Sequence, residues 1–121
     1  MSILVSLTLA TICFTSQGTQ GCYPILIGEK IPTPVGEFTL HKRVTADIGY
    51  GGNVIQFYET NITVYAIHRV WLLNPKQNRA ARLKSANVQD RLITNGCINV
   101  DPIVYEKLID CCIDQKLIIQ K

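Results

Sequence analysis

At 121 residues, with 47% apolar and 17% charged side chains, the chain has room for one hydrophobic core, and its composition excludes a disordered protein. The net charge of +3 is small, and the basic residues (Lys42, Arg43, Arg69, Lys76, Arg79, Arg82, Lys84, Arg91) lie mostly in the middle third with few aromatics between them. Nucleic acid is a poor partner for that pattern, whereas a polyanionic polymer or a substrate carboxylate suits it.

Taken in order, Ser2 to Thr15 is apolar, has no positive residue before it, and is too short to span a bilayer as a helix. The segment reads as a signal peptide or a β-strand, and the alternation of Val5, Leu7 and Leu9 with Ser6, Thr8 and Ala10 favours the strand. Gln17-Gly18 then forms a two-residue hairpin turn with Gln20 to Ile27 returning. Counting outward from that turn pairs Ser16 with Thr19 and Cys13 with Cys22, which makes a cross-strand disulfide feasible in an oxidising compartment. Two prolines stiffen the loop Lys30 to Gly36, which leads into a third strand, Glu37 to Lys42. A glycine-rich loop at Gly49-Tyr50-Gly51-Gly52 precedes two strands, Val54 to Tyr58 and Ile62 to His68, with Ile62, Val64, Ala66 and His68 on one face. His68 therefore reads either as a satisfied core histidine or as a positioned base. Asn74 to Arg91 is polar and basic, a surface lobe with short helices at Gln77 to Lys84 and Asn87 to Arg91. Asp101 is a good N-cap with Pro102 at the first helical position, and Tyr105, Leu108, Ile109 and Cys112 have helical spacing. Leu117 to Ile119 reads as a closing strand.

The five cysteines are Cys13, Cys22, Cys97, Cys111 and Cys112. They form no C-x-x-C pair, so zinc-ribbon and thioredoxin-type readings have no support, and the odd count leaves a free thiol. Core packing is the simplest role for Cys111 and Cys112. Cys97 stands apart, in Thr94-Asn95-Gly96-Cys97-Ile98-Asn99. A cysteine after glycine, ahead of a helix start, suits an acyl-transfer site, where a thiol nucleophile needs backbone N–H donors aimed at a developing oxyanion. A buried cysteine in a turn fits the hexapeptide equally well.

Thr33-Pro34-Val35-Gly36-Glu37-Phe38, then Ala66-Ile67-His68-Arg69, then Arg91-Leu92-Ile93-Thr94-Asn95-Gly96-Cys97-Ile98-Asn99-Val100 together resemble the L,D-transpeptidase catalytic domain, the YkuD family. The resemblance covers nearly the whole chain and implies a single catalytic domain over residues 1–121. The fold it implies is mainly β, a sandwich with a short helical lobe and one helix after the active-site cysteine. It implies Cys97 as nucleophile, His68 as base, Gly96 and Cys97 as sources of oxyanion-hole amides, and Thr94 and Asn99 as shapers of the turn. Arg91, Arg69 and Asn99 are expected on the substrate. Asn95 stands where the family usually has histidine, and the spacer from Arg69 to Ile93 is longer than usual. The implied substrate is a peptidoglycan tetrapeptide stem, attacked at its third residue with loss of terminal D-alanine through a thioester. An amine acceptor makes a cross-link, and water makes the same site a carboxypeptidase. The expected location is the periplasm or cell envelope, and no metal or organic cofactor is needed. Two other classes stay open: a wall-binding module inactive through Asn95, and a disulfide-stapled secreted protein with Cys97 oxidised.

Overall fold

The computed structural model describes residues 2–121, and alternation of apolar and polar side chains shapes its first strands. Ile3 and Val5 point inward from β1 (Ser2–Ser6), and Ile12 and Phe14 from β2 (Thr11–Ser16). The single strand expected over Ser2 to Thr15 is thus two. The chain reverses through residues 7–10, where the Leu9 N–H bonds to Ser6 Oγ at 3.2 Å and Ala10 takes a φ of 49°. The hairpin turn expected at Gln17-Gly18 is present, with φ of 51° and 78°, the combination that suits a type I′ turn. β2 pairs with β3 (Thr19–Pro24) in the register that sets Ser16 opposite Thr19 and Cys13 opposite Cys22, and the two cysteines are joined. The return strand stops at Pro24, short of Ile27. Ile27–Gly28 forms a separate strand, β4, which pairs in parallel with β9 (Leu92–Thr94).

The stretch expected as one strand from Glu37 to Lys42 divides at Leu40 into β5 (Gly36–Thr39) and β6 (His41–Arg43), which belong to different sheets. Leu40 is fully buried at the crossing. Its N–H bonds to the Gln115 carbonyl at 3.0 Å and its carbonyl accepts from the Asp114 N–H at 2.8 Å. The last strand, β11 (Lys116–Gln120), enters between β1 and β5, giving the order β3-β2-β1-β11-β5. The second sheet runs β10-β8-β7-β6, from β7 (Val54–Glu59), β8 (Val64–Arg69) and β10 (Ile98–Val100). Ile62 lies outside β8, in the preceding turn, and is 93% exposed.

The core forms between these layers. Ile3, Val5, Ile12, Leu117 and Ile119 from the first sheet cluster with Ile55, Phe57, Ile67, Ile98 and Val100 from the second. The helix α2 (Pro102–Cys111) adds Val104, Tyr105 and Leu108. It starts as the sequence predicts, with the Asp101 carboxylate accepting from the Ile103 N–H at 2.9 Å and Pro102 in the first turn. At its far end Cys111 and Cys112 are bonded to each other, and Cys112 is buried in the core.

The lobe of residues 74–91 holds less helix than expected: a 3-10 turn at Pro75–Gln77, a short helix α1 (Arg79–Leu83), and another 3-10 turn at Val88–Arg91. Asn74 and Asn87 start the two 3-10 turns by accepting backbone N–H bonds, a local competition that favours turns over long helices. Leu83 anchors the lobe in a small second cluster with Leu26 and Val70. The whole is a mainly β sandwich with a short helical lobe and one helix after Cys97.

Candidate active site

Parallel pairing of β8 with β10 fixes the site. It sets Asn99 directly across from His68, so the strand carrying the histidine and the strand leaving the cysteine lie side by side. Leu26 and Asn99 exchange backbone hydrogen bonds at 2.9 and 3.0 Å on the other side of β10. The turn between β9 and β10 presents Cys97 at the edge of this frame.

Thr94 holds that turn. The residue is 2% exposed, and its hydroxyl donates to the Cys97 carbonyl at 2.7 Å and accepts from the Gly96 N–H at 3.1 Å. Gly96 sits at φ 111°, and a Cβ there would come within 2.5 Å of the Tyr65 ring, so the position admits no side chain. The Gly96 amide, expected to face an oxyanion, is instead spent on Thr94. The Cys97 N–H is the amide left without such a partner among the described residues. The Thr33 hydroxyl, also buried, accepts from the Gly28 N–H at 3.0 Å, and β4 in turn pairs with β9 up to Thr94. The Thr-Pro element therefore braces the strand beneath the nucleophile turn from some sixty residues upstream in the sequence.

Cys97 is the free cysteine, partly buried. Its thiol donates to the Val64 carbonyl at 3.8 Å. Burial pushes its pKa up, and an Ala66 backbone hydrogen bond and the Arg79 charge pull the other way without overcoming it. His68 is 3% exposed, and its Nδ1 lies 2.7 Å from the Arg69 carbonyl. A carbonyl only accepts, so Nδ1 carries the proton and Nε2 the lone pair. Burial lowers the imidazole pKa to about 4, despite the Arg69 carbonyl, which favours the protonated ring. Both groups are therefore neutral at pH 7.

Asn99 is fully buried and fully engaged: its Oδ1 accepts from the Trp71 N–H at 3.1 Å and from Arg79 Nη1 at 3.0 Å. That leaves Nδ2 to face His68 Nε2, at a long 3.4 Å. A cavity of about 330 Å³ opens over these groups, walled by Tyr50, His68, Trp71, Asn74, Gln77, Arg79, Thr94, Asn95 and Cys97. A smaller one, about 130 Å³, shares Tyr50, His68 and Cys97 with it and is lined by Arg43, Thr45, Val54, Val64 and Ala66 as well. A larger groove, about 540 Å³, runs between the β2–β3 hairpin and α2 and is lined by neither thiol nor imidazole. Among the described residues no group of three or more His, Cys, Asp or Glu side chains is placed to hold a metal ion.

The structure thus gathers Cys97, His68, Thr94, Gly96, Asn95 and Asn99, and turns two expected residues elsewhere. Arg91 is 6% exposed, with its guanidinium donating to the Ser85 carbonyl and, at 2.8 Å, to the Leu9 carbonyl, which stitches the lobe to the turn after β1. Arg69 pairs with Glu106 at 2.9 Å and lies over the Tyr105 ring. Asn99 works behind the wall and not on its surface. Conversely, Tyr50 and Trp71 line the cavity without having been singled out. Tyr50 packs on His68 with centroids 4.6 Å apart and on Trp71 at 5.0 Å. The glycine-rich loop carried the clue: a Cβ on Gly49 would come within 2.1 Å of the Trp71 ring, so the small residue exists to admit the aromatic stack.

A free thiol and an imidazole of fixed tautomer thus line one cavity of a mainly β sandwich. No protein-family model matches the sequence, and no curated protein matches it. Solved structures do. An L,D-transpeptidase from Mycobacterium tuberculosis H37Rv superimposes with a TM-score of 0.67 at 17% identity, over 99% of this chain and 57% of that one. L,D-transpeptidase 3 from Mycobacterium tuberculosis gives 0.68 at 16% identity, over 99% and 60%. An L,D-transpeptidase from Mycobacterium smegmatis gives 0.64 at 20% identity, over 99% and 58%. The chain has the L,D-transpeptidase fold, and it spans less than two thirds of the length of these neighbours.

Proposed function

We propose that this chain is an L,D-transpeptidase, a cysteine acyltransferase that works on peptidoglycan tetrapeptide stems in the periplasm or cell envelope. The observation that carries the reading is a cavity lined by both the free Cys97 and a buried, Nδ1-protonated His68, in a chain with this fold. The thiol leaves the Val64 carbonyl and turns to His68. As Sγ bonds to the carbonyl carbon of the third stem residue, Nε2 takes the thiol proton, and the Cys97 N–H receives the developing oxyanion. The C–N bond to the terminal D-alanine then breaks, and the imidazolium gives its proton to the departing amine. The resulting thioester is resolved by an amine from a neighbouring stem, which restores the thiol and leaves a cross-link. Water in place of the amine gives a carboxypeptidase.

Intact mass measurement after incubation with disaccharide tetrapeptide tests this. The expected result is a stem adduct on Cys97 with one free D-alanine per adduct, and neither product from Cys97→Ala. Release of D-alanine by Cys97→Ala overturns the assignment of the nucleophile. Peptide that binds without forming an adduct makes the chain a wall-binding module instead.

A further inference from the structure

Arg79 is the one permanently charged side chain on the wall of the larger Cys97 cavity. Nothing acidic neutralises it: among the described residues the cations found in ion pairs are His41, Arg43, Arg69 and Lys116. The guanidinium is nonetheless held still. Nη1 donates to Asn99 Oδ1 at 3.0 Å and Nε to Gln77 Oε1 at 2.8 Å, both neutral acceptors. Asn99 is itself locked by the Trp71 N–H, so Arg79 is braced from the floor of the site. Nη2 takes no partner in the protein among the described residues and is not sealed in the interior. Arg82, three residues on, differs: it donates to the carbonyls of Gln77 and Asp90 and belongs to the lobe's own scaffold.

A pinned, half-enclosed guanidinium without a counterion, beside a nucleophile and aromatic walls, is a receptor for a planar anion. We infer that Arg79 binds the free carboxylate of the stem's terminal residue, and so selects peptides whose scissile amide lies one residue from a C-terminal carboxylate. This rests on the transpeptidase reading above. In such a donor the carboxylate is a single Cα away from the scissile nitrogen, so a group that grips it aligns the amide on Cys97. A peptide extended by one residue, or capped as an amide, offers no charge at that point.

The single tryptophan of the chain, Trp71, lines the same cavity and reports occupancy by its emission. Cys97→Ser protein is titrated with stem tetrapeptide as the free acid and as its C-terminal carboxamide. The acid is expected to bind about tenfold to a hundredfold more tightly, in keeping with a charge-assisted pair. Adding Arg79→Gln should bring the acid down to the amide's affinity, and Arg79→Lys should keep part of the preference. Equal binding of acid and amide overturns the inference, as does a preference that survives in Arg79→Gln. The acid-against-amide comparison needs no Arg79 variant, so it decides even if those variants fold poorly. Adduct formation on the unsubstituted chain separates the two readings. Adducts formed equally from both peptides keep the transpeptidase and remove the role of Arg79, whereas no binding and no adduct from either removes both.

Discussion

Burial sets the Cys97 thiol and the His68 imidazole toward their neutral forms, which decides how the pair must work. A preformed thiolate–imidazolium pair needs a histidine pKa above that of the thiol, and here the order is reversed. In the proposed reaction, proton transfer therefore accompanies attack. Alkylation of Cys97 by iodoacetamide should rise with pH through and beyond the ordinary thiol range, about 8.5. The other four cysteines are in disulfides, so the rate belongs to Cys97 alone. A plateau in the rate between about pH 5 and 7 would show an ion pair and reject this account. The acid limb of kcat/KM follows from the same shift. A lowered pKa keeps the base neutral further into acid, so activity should hold below the usual histidine value of about 6.5 and fall near pH 4. Cys97 and His68 were legible as candidates because each stands in a short motif, a cysteine after glycine and a histidine at the end of a strand, that the sequence shows directly. The roles of Arg91 and Arg69 were not legible. A cation's partners are set by folding, and here they are carbonyls of residues 9 and 85 and the carboxylate of residue 106.

At the scale of elements, two short strands and a threonine-proline loop do what one side chain cannot. Thr33 braces Gly28, β4 braces β9, and Thr94 ties Gly96 to the Cys97 carbonyl. Thr94→Val keeps the shape and removes both hydroxyl bonds, leaving the Gly96 N–H buried without an acceptor. The cost should be about 2 to 3 kcal/mol in urea denaturation, with Cys97 acylation slowed further than stability alone explains. Thr94→Ser, which retains the hydroxyl, should recover most of both. A Thr94→Val protein that acylates at the full rate would show that the turn needs no such tie. Strand existence was readable from alternation here, but strand ends were not. The break at Leu40 arises because that residue trades ladder bonds for the turn at 114–115, a contact across more than seventy residues of sequence. The reversal at residues 7–10 likewise depends on Ala10 adopting a positive φ, which its side chain does not advertise.

Over the whole molecule, the two disulfides differ in what they constrain. Cys13 and Cys22 are 9 apart in sequence and close the β2–β3 hairpin, at the edge of the five-stranded sheet. Cross-linking a loop of that size removes chain entropy from the unfolded state worth about 2.5 kcal/mol at room temperature. Cys111 and Cys112 are neighbours, so their bond closes no chain loop of consequence and the same effect is absent. The hairpin bond was readable from the turn because register follows once a two-residue loop is placed, whereas nothing in an adjacent pair of cysteines distinguishes a bond from two packed thiols. Replacing Cys13 and Cys22 with serine should therefore lower the melting temperature by about 10 °C. Replacing Cys111 and Cys112 with alanine should lower it less, by the loss of packing around the buried Cys112. Calorimetry of the two double variants, each beside the parent protein, checks the ranking. A larger drop for the adjacent pair would mean that the end of α2, and not the hairpin, is where covalent bonding holds the fold.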